Sequence, residues 1–549
     1  MAMDVDFEEI LSKCGNSHRY QYMLLALYGY IVFIFSRHIF AQNVIGFIPD
    51  HWCYHEELEN STFEEIKAMY SQFESPSCTR LDAIDLVSGN VTISDKKCDR
   101  WIYDYDFDFV SINAEFNWVC DEALKGRVGQ SLFFVGSMFG TFFFGLLGDR
   151  IGRIRPLILV YSCGFLGDFA TIFAKDLTTY SISRFVSGLA AGSGYLMFIL
   201  VLEYISSSLR NKTLTIIQSL CYSLGLISAC LQAIYTGHWR ICMAWSAFPL
   251  LLVTLFYFLV QESAQWLITR NDIDGAVMRL QRVAEFNRRQ VSEEDFESFR
   301  RHCVGFSKEF REKQTTLVDA LHIPRLRKTI IKVVIFLTTT TVCNIALYRN
   351  VEGVGISPFI MLSLNALTMP PSGFIQAQLQ KRFGPKFTLF SALLAIGIFT
   401  AVHGIFLSIW KQPSITLLVI MVMAFNFGVS VVARANMQFC AELIPTCVRS
   451  QVISFASVSG AAASSLTPYI LHLEIYLRAA PSIFLCLLTL FSAWICLLLP
   501  ETFKKKLPIS LADGEEFGVG ERMFSFLKGN KKDARDGRSA ETQENLMPK

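Results

Sequence analysis

The chain has 549 residues, of which 52% are hydrophobic and 18% charged, with a formal net charge of +2 and a mean hydropathy of +0.37. So apolar a composition over this length excludes an ordinary soluble protein of several domains and fits a polytopic membrane protein. The charge is segregated along the chain and forms no basic patch, so nothing points to nucleic acid.

Residues 1–21 are polar and precede an apolar run, 22–48, that is long enough to cross a bilayer and lacks a small-residue cleavage site. That run reads as a retained first transmembrane helix and the segment before it as a cytosolic N-terminus. Arg37 lies within it, a positive charge at membrane depth. Residues 49–127 form an acidic insert carrying Cys53, Cys78, Cys98 and Cys120. An even set of cysteines in one loop predicts two disulfides in an oxidising compartment, with three pairings open. Sequons at Asn60 and Asn90 fall in the same insert and mark it as an extracellular, glycosylated loop, whereas the sequon at Asn211 falls in a cytosolic turn.

Residues 128–260 supply five more spans, near 128–148, 156–174, 179–203, 213–235 and 241–260. Between the first two stands Gly145-Leu-Leu-Gly-Asp-Arg-Ile-Gly-Arg153. Its pattern resembles the loop between the second and third helices of the major facilitator superfamily. In that reading Asp149 faces the positive N-terminal end of a neighbouring helix, and Arg150 and Arg153 stay in cytosolic water or pair with acids. Gly136-x-x-x-Gly140 and Gly188-x-x-x-Gly192 are small-residue faces that let helices approach closely.

A mixed-charge cytosolic loop, 261–328, precedes six further apolar runs within 329–499, near 329–351, 355–379, 387–409, 414–439, 450–472 and 480–499. Residues 500–549 form a polar C-terminal tail. The basic connections RIGRIR, RNK and QKRFGPK fall on one side, which predicts twelve transmembrane helices with both termini cytosolic. Glu203-x6-Arg210 recurs as Glu442-x6-Arg449, and Glu262-Ser263 as Glu501-Thr502, each 239 residues on. A shared offset at charged positions marks two six-helix halves that are repeats, the pattern of an alternating-access transporter. Asp149, Arg150, Arg153, Glu203, Arg210, Glu442 and Arg449 are then expected to form cytosolic ion pairs that hold an outward-open state and break on inward opening.

Five stretches carry a closer resemblance over nearly the whole chain: Gly46-Phe-Ile-Pro-Asp-His-Trp-Cys53, Glu115-Phe-Asn-Trp-Val-Cys120, His238-Trp-Arg240, Gln261-Glu-Ser-Ala-Gln-Trp-Leu267 and Ala441-Glu-Leu-Ile-Pro-Thr446. They are similar to motifs of the organic cation, anion and zwitterion transporters among the solute carriers, which usually have Pro-Glu-Ser-Pro-Arg-Trp-Leu where this chain has Gln261, Ala264 and Gln265. The resemblance implies an all-α major facilitator fold and puts Arg434, Ala461 and Thr368 where cation carriers have acids. It also implies cavity-lining roles for Tyr348, Phe198 and Tyr222, with Arg37 adding positive charge.

Intramembrane charges are functional candidates by default, and a guanidinium grips a carboxylate bidentately. The expectation is a plasma-membrane carrier of a small carboxylate-bearing organic anion or zwitterion; the alternatives are an organic cation carrier or a non-transporting sensor on the same fold. In the bland alternative for the site, Arg434 pairs with Glu203 or Asp168 and only holds helices together. No Walker A loop, His-Glu-x-x-His, Cys-x-x-Cys or supported Ser/His/Asp arrangement occurs, so no enzymatic activity, cofactor or metal is expected. The expected partners are the solute and membrane lipid, and the chain reads as a monomer.

Overall fold

The computed structural model describes residues 2–521, apart from 59–60, 71–77, 79, 85–90, 94–96, 193–194, 206, 312–316, 350–355, 410–413, 446, 478, 504, 506–507 and 509–510. Asn60 and Asn90 therefore lie outside the described residues, as do the side chains of Asp149, Arg210 and Tyr348.

A short helix α1 (Ala2–Cys14) leads into the first long apolar helix α2 (Arg19–Ile45). The cysteine-bearing loop then builds four strands, β1 (Asp50–Cys53), β2 (Leu81–Ile84), β3 (Val91–Ile93) and β4 (Trp101–Asp104), with short helices α3 (Phe63–Tyr70) and α4 (Ile112–Glu115). β1 pairs antiparallel with β4, Cys53 facing Trp101, and β2 pairs antiparallel with β3. Of the three possible pairings the loop has Cys53–Cys98 and Cys78–Cys120, with Cα separations of 5.6 and 5.7 Å.

The first half continues with α5 (Ala123–Ile151), α6 (Ile154–Ile172), α7 (Leu177–Gly188), α8 (Tyr195–Tyr204), α9 (Ser207–Thr236), α10 (Trp239–Leu251) and α11 (Phe256–Leu259). Helices α12 (Ala264–Thr269), α13 (Ile273–Phe286), α14 (Glu293–Arg311) and α15 (Leu317–His322) fill the central polar segment. The second half comprises α16 (Pro324–Arg349), α17 (Pro358–Leu367), α18 (Met369–Phe383), α19 (Pro385–Ile409), α20 (Ile415–Leu443), α21 (Arg449–Ser464), α22 (Thr467–His472) and α23 (Ala480–Leu498). A last short helix, α24 (Leu511–Glu516), follows.

Among the described residues nine helical stretches are long and apolar enough to cross a membrane. The other three expected runs are the shorter α6, which carries Arg155 and Asp168, and two interrupted helices. One breaks between α17 and α18, where Pro370 and Pro371 withdraw two backbone donors; the other breaks before Pro468 at the start of α22. Together with the nine, these are consistent with the twelve segments that the sequence leads one to expect.

Close packing within the first half rests on glycine. A Cβ on Gly136 would overlap the carbonyl oxygen of Phe185, one on Gly140 that of Leu189, and one on Gly188 that of Phe133, so α5 and the α7 segment touch backbone to backbone. The central segment is more ordered than its polarity implies. Phe7 of α1 packs against Phe299 of α14, and Lys13 pairs with Asp295 at 2.9 Å. Buried Asn287 accepts from Tyr20 N at 2.9 Å and donates to the carbonyls of Cys14 and Gly15 at 3.0 Å. These helices cap the end of the first half opposite the disulfide loop.

The two halves meet near the loop end. Ser131 Oγ donates to the carbonyl of Ser465 at 2.8 Å, and Phe359 of α17 packs edge-on against Phe47 and Phe109. Nearer mid-membrane, Ser223 Oγ of α9 donates to Ala366 O of α17 at 2.7 Å.

Candidate functional site

Arg434 stands on α20, half-buried, where α9 of the first half meets α18 of the second. Its Nη1 donates to Ser219 Oγ at 2.8 Å and its Nη2 to Met369 O at 2.8 Å and to Ser372 Oγ. The bare Cα of Gly373 makes room, for a Cβ there would lie 3.5 Å from the guanidinium carbon and 3.0 Å from Ser219 Oγ. The Met369 carbonyl also accepts from Ser372 Oγ at 2.8 Å, so both of its lone pairs are used. All three groups that receive these hydrogen bonds are neutral.

Of the acids considered as partners for Arg434, Asp168 is engaged elsewhere. It is fully buried on α6, with Arg184 Nη1 at 2.9 Å, Ser187 Oγ at 2.6 Å and His38 Nδ1 at 2.9 Å. Thr368, at a position where cation carriers have an acid, is buried and donates to Asn365 O at 2.7 Å. Tyr222 on α9 packs edge-on to Phe40 at 5.9 Å and tilted against Phe35, and Ser36 Oγ donates to the Tyr222 carbonyl at 2.7 Å. Phe198 lies against Tyr28 at 6.0 Å. Arg37 Nη2 donates to Gln232 Oε1, and the guanidinium lies over the Phe33 ring at 5.8 Å. Arg37 and Gln232 border a largely apolar groove of about 920 Å³ with Trp245 and Phe248, separate from the contacts of Arg434.

At the end opposite the loop, the anion at the start of α6 is Glu262, from the Gln261-Glu-Ser stretch. It accepts from Arg153 N at 2.8 Å and Ile154 N at 3.2 Å, beside the left-handed turn at Gly152 (φ +98). Glu262 thus sets an anion at a helix N-terminus, although the sequence offered it only as a marker of the repeat; the side chain of Asp149 lies outside the described residues. The second half repeats the device: Gly384 (φ +90) abuts Phe503 and Glu501, and Glu501 accepts from Thr502 N at 3.0 Å and Phe503 N at 3.2 Å. Glu442 accepts from Thr502 Oγ1 at 2.6 Å and from Gln438, and its charge acts on Arg449, which donates to Ile444 O at 3.2 Å. Glu203 ends α8, half-buried, and Arg270 donates to the Arg150 carbonyl at 3.1 Å. The bonds described here for Glu262, Glu442 and Arg449 each stay within one half.

Gln261, where the family pattern has proline, uses the donor that proline lacks. Its N–H donates to Tyr20 Oη at 2.9 Å, and its Oε1 accepts from Arg279 at 2.8 Å. On the loop side, Glu115 ties the loop to the turn after α9: Arg240 donates to it at 2.7 and 3.3 Å, and Trp239 Nε1 donates to it as well. Two stretches singled out in the sequence, Glu115–Cys120 and His238–Arg240, are therefore halves of one contact.

A family model described as sugar (and other) transporter matches residues 120–509. The Caenorhabditis elegans protein named organic cation transporter 1 is 25% identical over 93% of this chain and 89% of its own length. Human solute carrier family 22 member 13 is 26% identical over 97% of each. The xylose transporter XylE from E. coli, in a partially occluded inward-open conformation, superposes with a TM-score of 0.59 at 13% identity, covering 89% of this chain and 100% of that one. The chain belongs to the sugar (and other) transporter family of the major facilitator superfamily, within its organic cation, anion and zwitterion branch.

Proposed function

We propose that the protein carries a small carboxylate-bearing organic solute, an anion or a zwitterion, across the plasma membrane by alternating access. The observation that carries this reading is Arg434, whose guanidinium reaches between the halves to two hydroxyls and a carbonyl. A carboxylate offers such a fork two parallel bonds that join opposite charges, which its bonds to uncharged oxygens do not. Asp168, one of the two acids weighed as partners for that charge, is already held by Arg184 and His38. Tyr348 and Tyr222 would flank the organic body, and Phe198 would wall the cavity from the first half. The cytosolic charges Asp149, Arg150, Arg153, Glu203, Arg210, Glu442 and Arg449 would close the opposite end in the outward-open state. The glycosylated loop at Asn60 and Asn90 would face outside.

The test is uptake into cells expressing the chain, using a labelled monocarboxylate, a quaternary-ammonium zwitterion and tetraethylammonium, a permanent cation. Carboxylate or zwitterion uptake is expected, lost in Arg434→Glu and weakened in Arg434→Lys by roughly tenfold or more, since a point charge cannot reproduce the bidentate fork. Saturable uptake of tetraethylammonium unaffected by Arg434→Ala would establish the cation reading instead, which the name of the nematode relative favours.

A further inference from the structure

His38, Asp168 and Arg184 are 2%, 0% and 0% exposed, and they come from three different helices, α2, α6 and α7. His38 Nδ1 lies 2.9 Å from Asp168 Oδ2, and His38 Nε2 lies 3.1 Å from the carbonyl oxygen of Ser187. A carbonyl oxygen can only accept, and so can an ionised carboxylate. A neutral imidazole has one N–H and would turn its bare nitrogen toward one of these oxygens, lone pair against lone pair, in a site closed to water. Asp168 is held in its ionised form by two donors on its other oxygen, Arg184 Nη1 at 2.9 Å and Ser187 Oγ at 2.6 Å. Arg184 is itself settled: its guanidinium lies over the Phe133 ring at 5.1 Å, and the Gln42 amide, turned with its oxygen inward, accepts from it. The groups facing His38 are thus Asp168 of α6, Arg184 and Ser187 of α7, Gln42 of its own helix and the Phe133 ring of α5 at 5.4 Å.

The cover over this cluster is shared between the halves. Phe133 and Phe134 pack with Ala191 and, across the interface, with Ile345 of α16. Separation of the loop ends would strip Ile345 from the phenylalanines and thin the barrier between His38 and water.

We propose that His38, clamped between Asp168 and the Ser187 carbonyl, is a proton-binding site that is loaded and sealed when the loop end is closed and that exchanges its proton when the loop end opens. The ligand is a proton, and solute movement by this carrier is linked to it. The inference does not depend on which solute is carried.

The measurement is nitrogen-15 NMR of the full chain in lipid bilayers with labelled histidine, which separates imidazolium from neutral imidazole. The chain has nine histidines. The His38 resonance is assigned as the one missing in His38→Gln and moved in Asp168→Asn, so that assignment survives if either variant fails to fold. Exposed imidazoles lose their proton near a pH of about 6.5. His38 is expected as imidazolium at neutral pH when Ser131→Cys and Ser465→Cys are joined across the loop end, and in part as neutral imidazole in the protein without that link. A neutral His38 in the joined protein would overturn the proposal, as would the same protonation state in the joined and unlinked forms. Because no solute enters the measurement, its failure is separate from a failure of the carboxylate reading.

Discussion

Glu115 belongs to the loop and not to any spanning helix, so its titration can be read simply. Burial would raise its carboxyl, but the hydrogen bonds from Arg240 and Trp239 outweigh that and hold it below the usual glutamate value of 4.5. A depressed folded pKa contributes stability that is present above the unfolded value and is lost as pH falls through the folded one. The melting temperature of the purified protein should therefore drop on acidification below about pH 4.5, and Glu115→Gln should flatten that drop while lowering stability at neutral pH. Parallel wild-type and variant curves would show that the contact contributes nothing to stability. At this scale the sequence was informative about which residues matter and silent about whom they touch. Arg434 stands out as a charge in an apolar run, yet Ser219, Ser372 and Met369 O come from other helices and no local pattern announces them. Asp168 was weighed as a partner for Arg434, but α6 and α7 are adjacent in the fold, so Arg184 reaches it first. His38, an isolated histidine in an apolar helix, gave no signal of its two buried acceptors.

Among elements, the pair α5 and α7 and the turn before α6 are the most exacting. Gly188→Val would drive a branched side chain into the Phe133 carbonyl, and backbone cannot yield as a side-chain tip can. The expected cost is about 3 kcal/mol or more, read as loss of folded protein on fluorescence-detected gel filtration; a normal monodisperse peak would refute it. Glu262→Gln keeps the shape at the start of α6 but removes the anion from its N-terminal dipole, at a cost of about 1–2 kcal/mol. Lower thermal stability with Arg434-dependent uptake still measurable would fit that role, and an unchanged melting curve would exclude it. The small-residue spacing of Gly136, Gly140 and Gly188 was legible because helix contact leaves a periodic trace. The cap from Glu262 was not, because more than a hundred residues separate it from the turn it serves and only the 239-residue offset to Glu501 marked it.

For the whole molecule, the repeat offset and the run of apolar segments carried the fold, since bilayer thickness imposes a length that composition cannot hide. The same rule is blind to the breaks at Pro370 and Pro468 and to the helices of the central segment, which depend on contacts such as Asn287 with Tyr20. The bond from Arg434 to Ser219 joins the two halves at their midline. If the halves rock as proposed, that bond would fasten one to the other in a carrier without solute and would have to break before they could move. A bound carboxylate would take the guanidinium and release Ser219 beforehand, so occupied molecules should reorient faster than vacant ones. The carrier would then behave as a trader, giving up internal solute most readily against solute outside. Efflux of preloaded label should rise several-fold, up to about tenfold, on adding unlabelled solute outside, the rate equivalent of about 1.4 kcal/mol. Ser219→Ala should raise efflux into solute-free medium and shrink that difference; efflux indifferent to external solute in the wild type would show that the bond does not hold the halves.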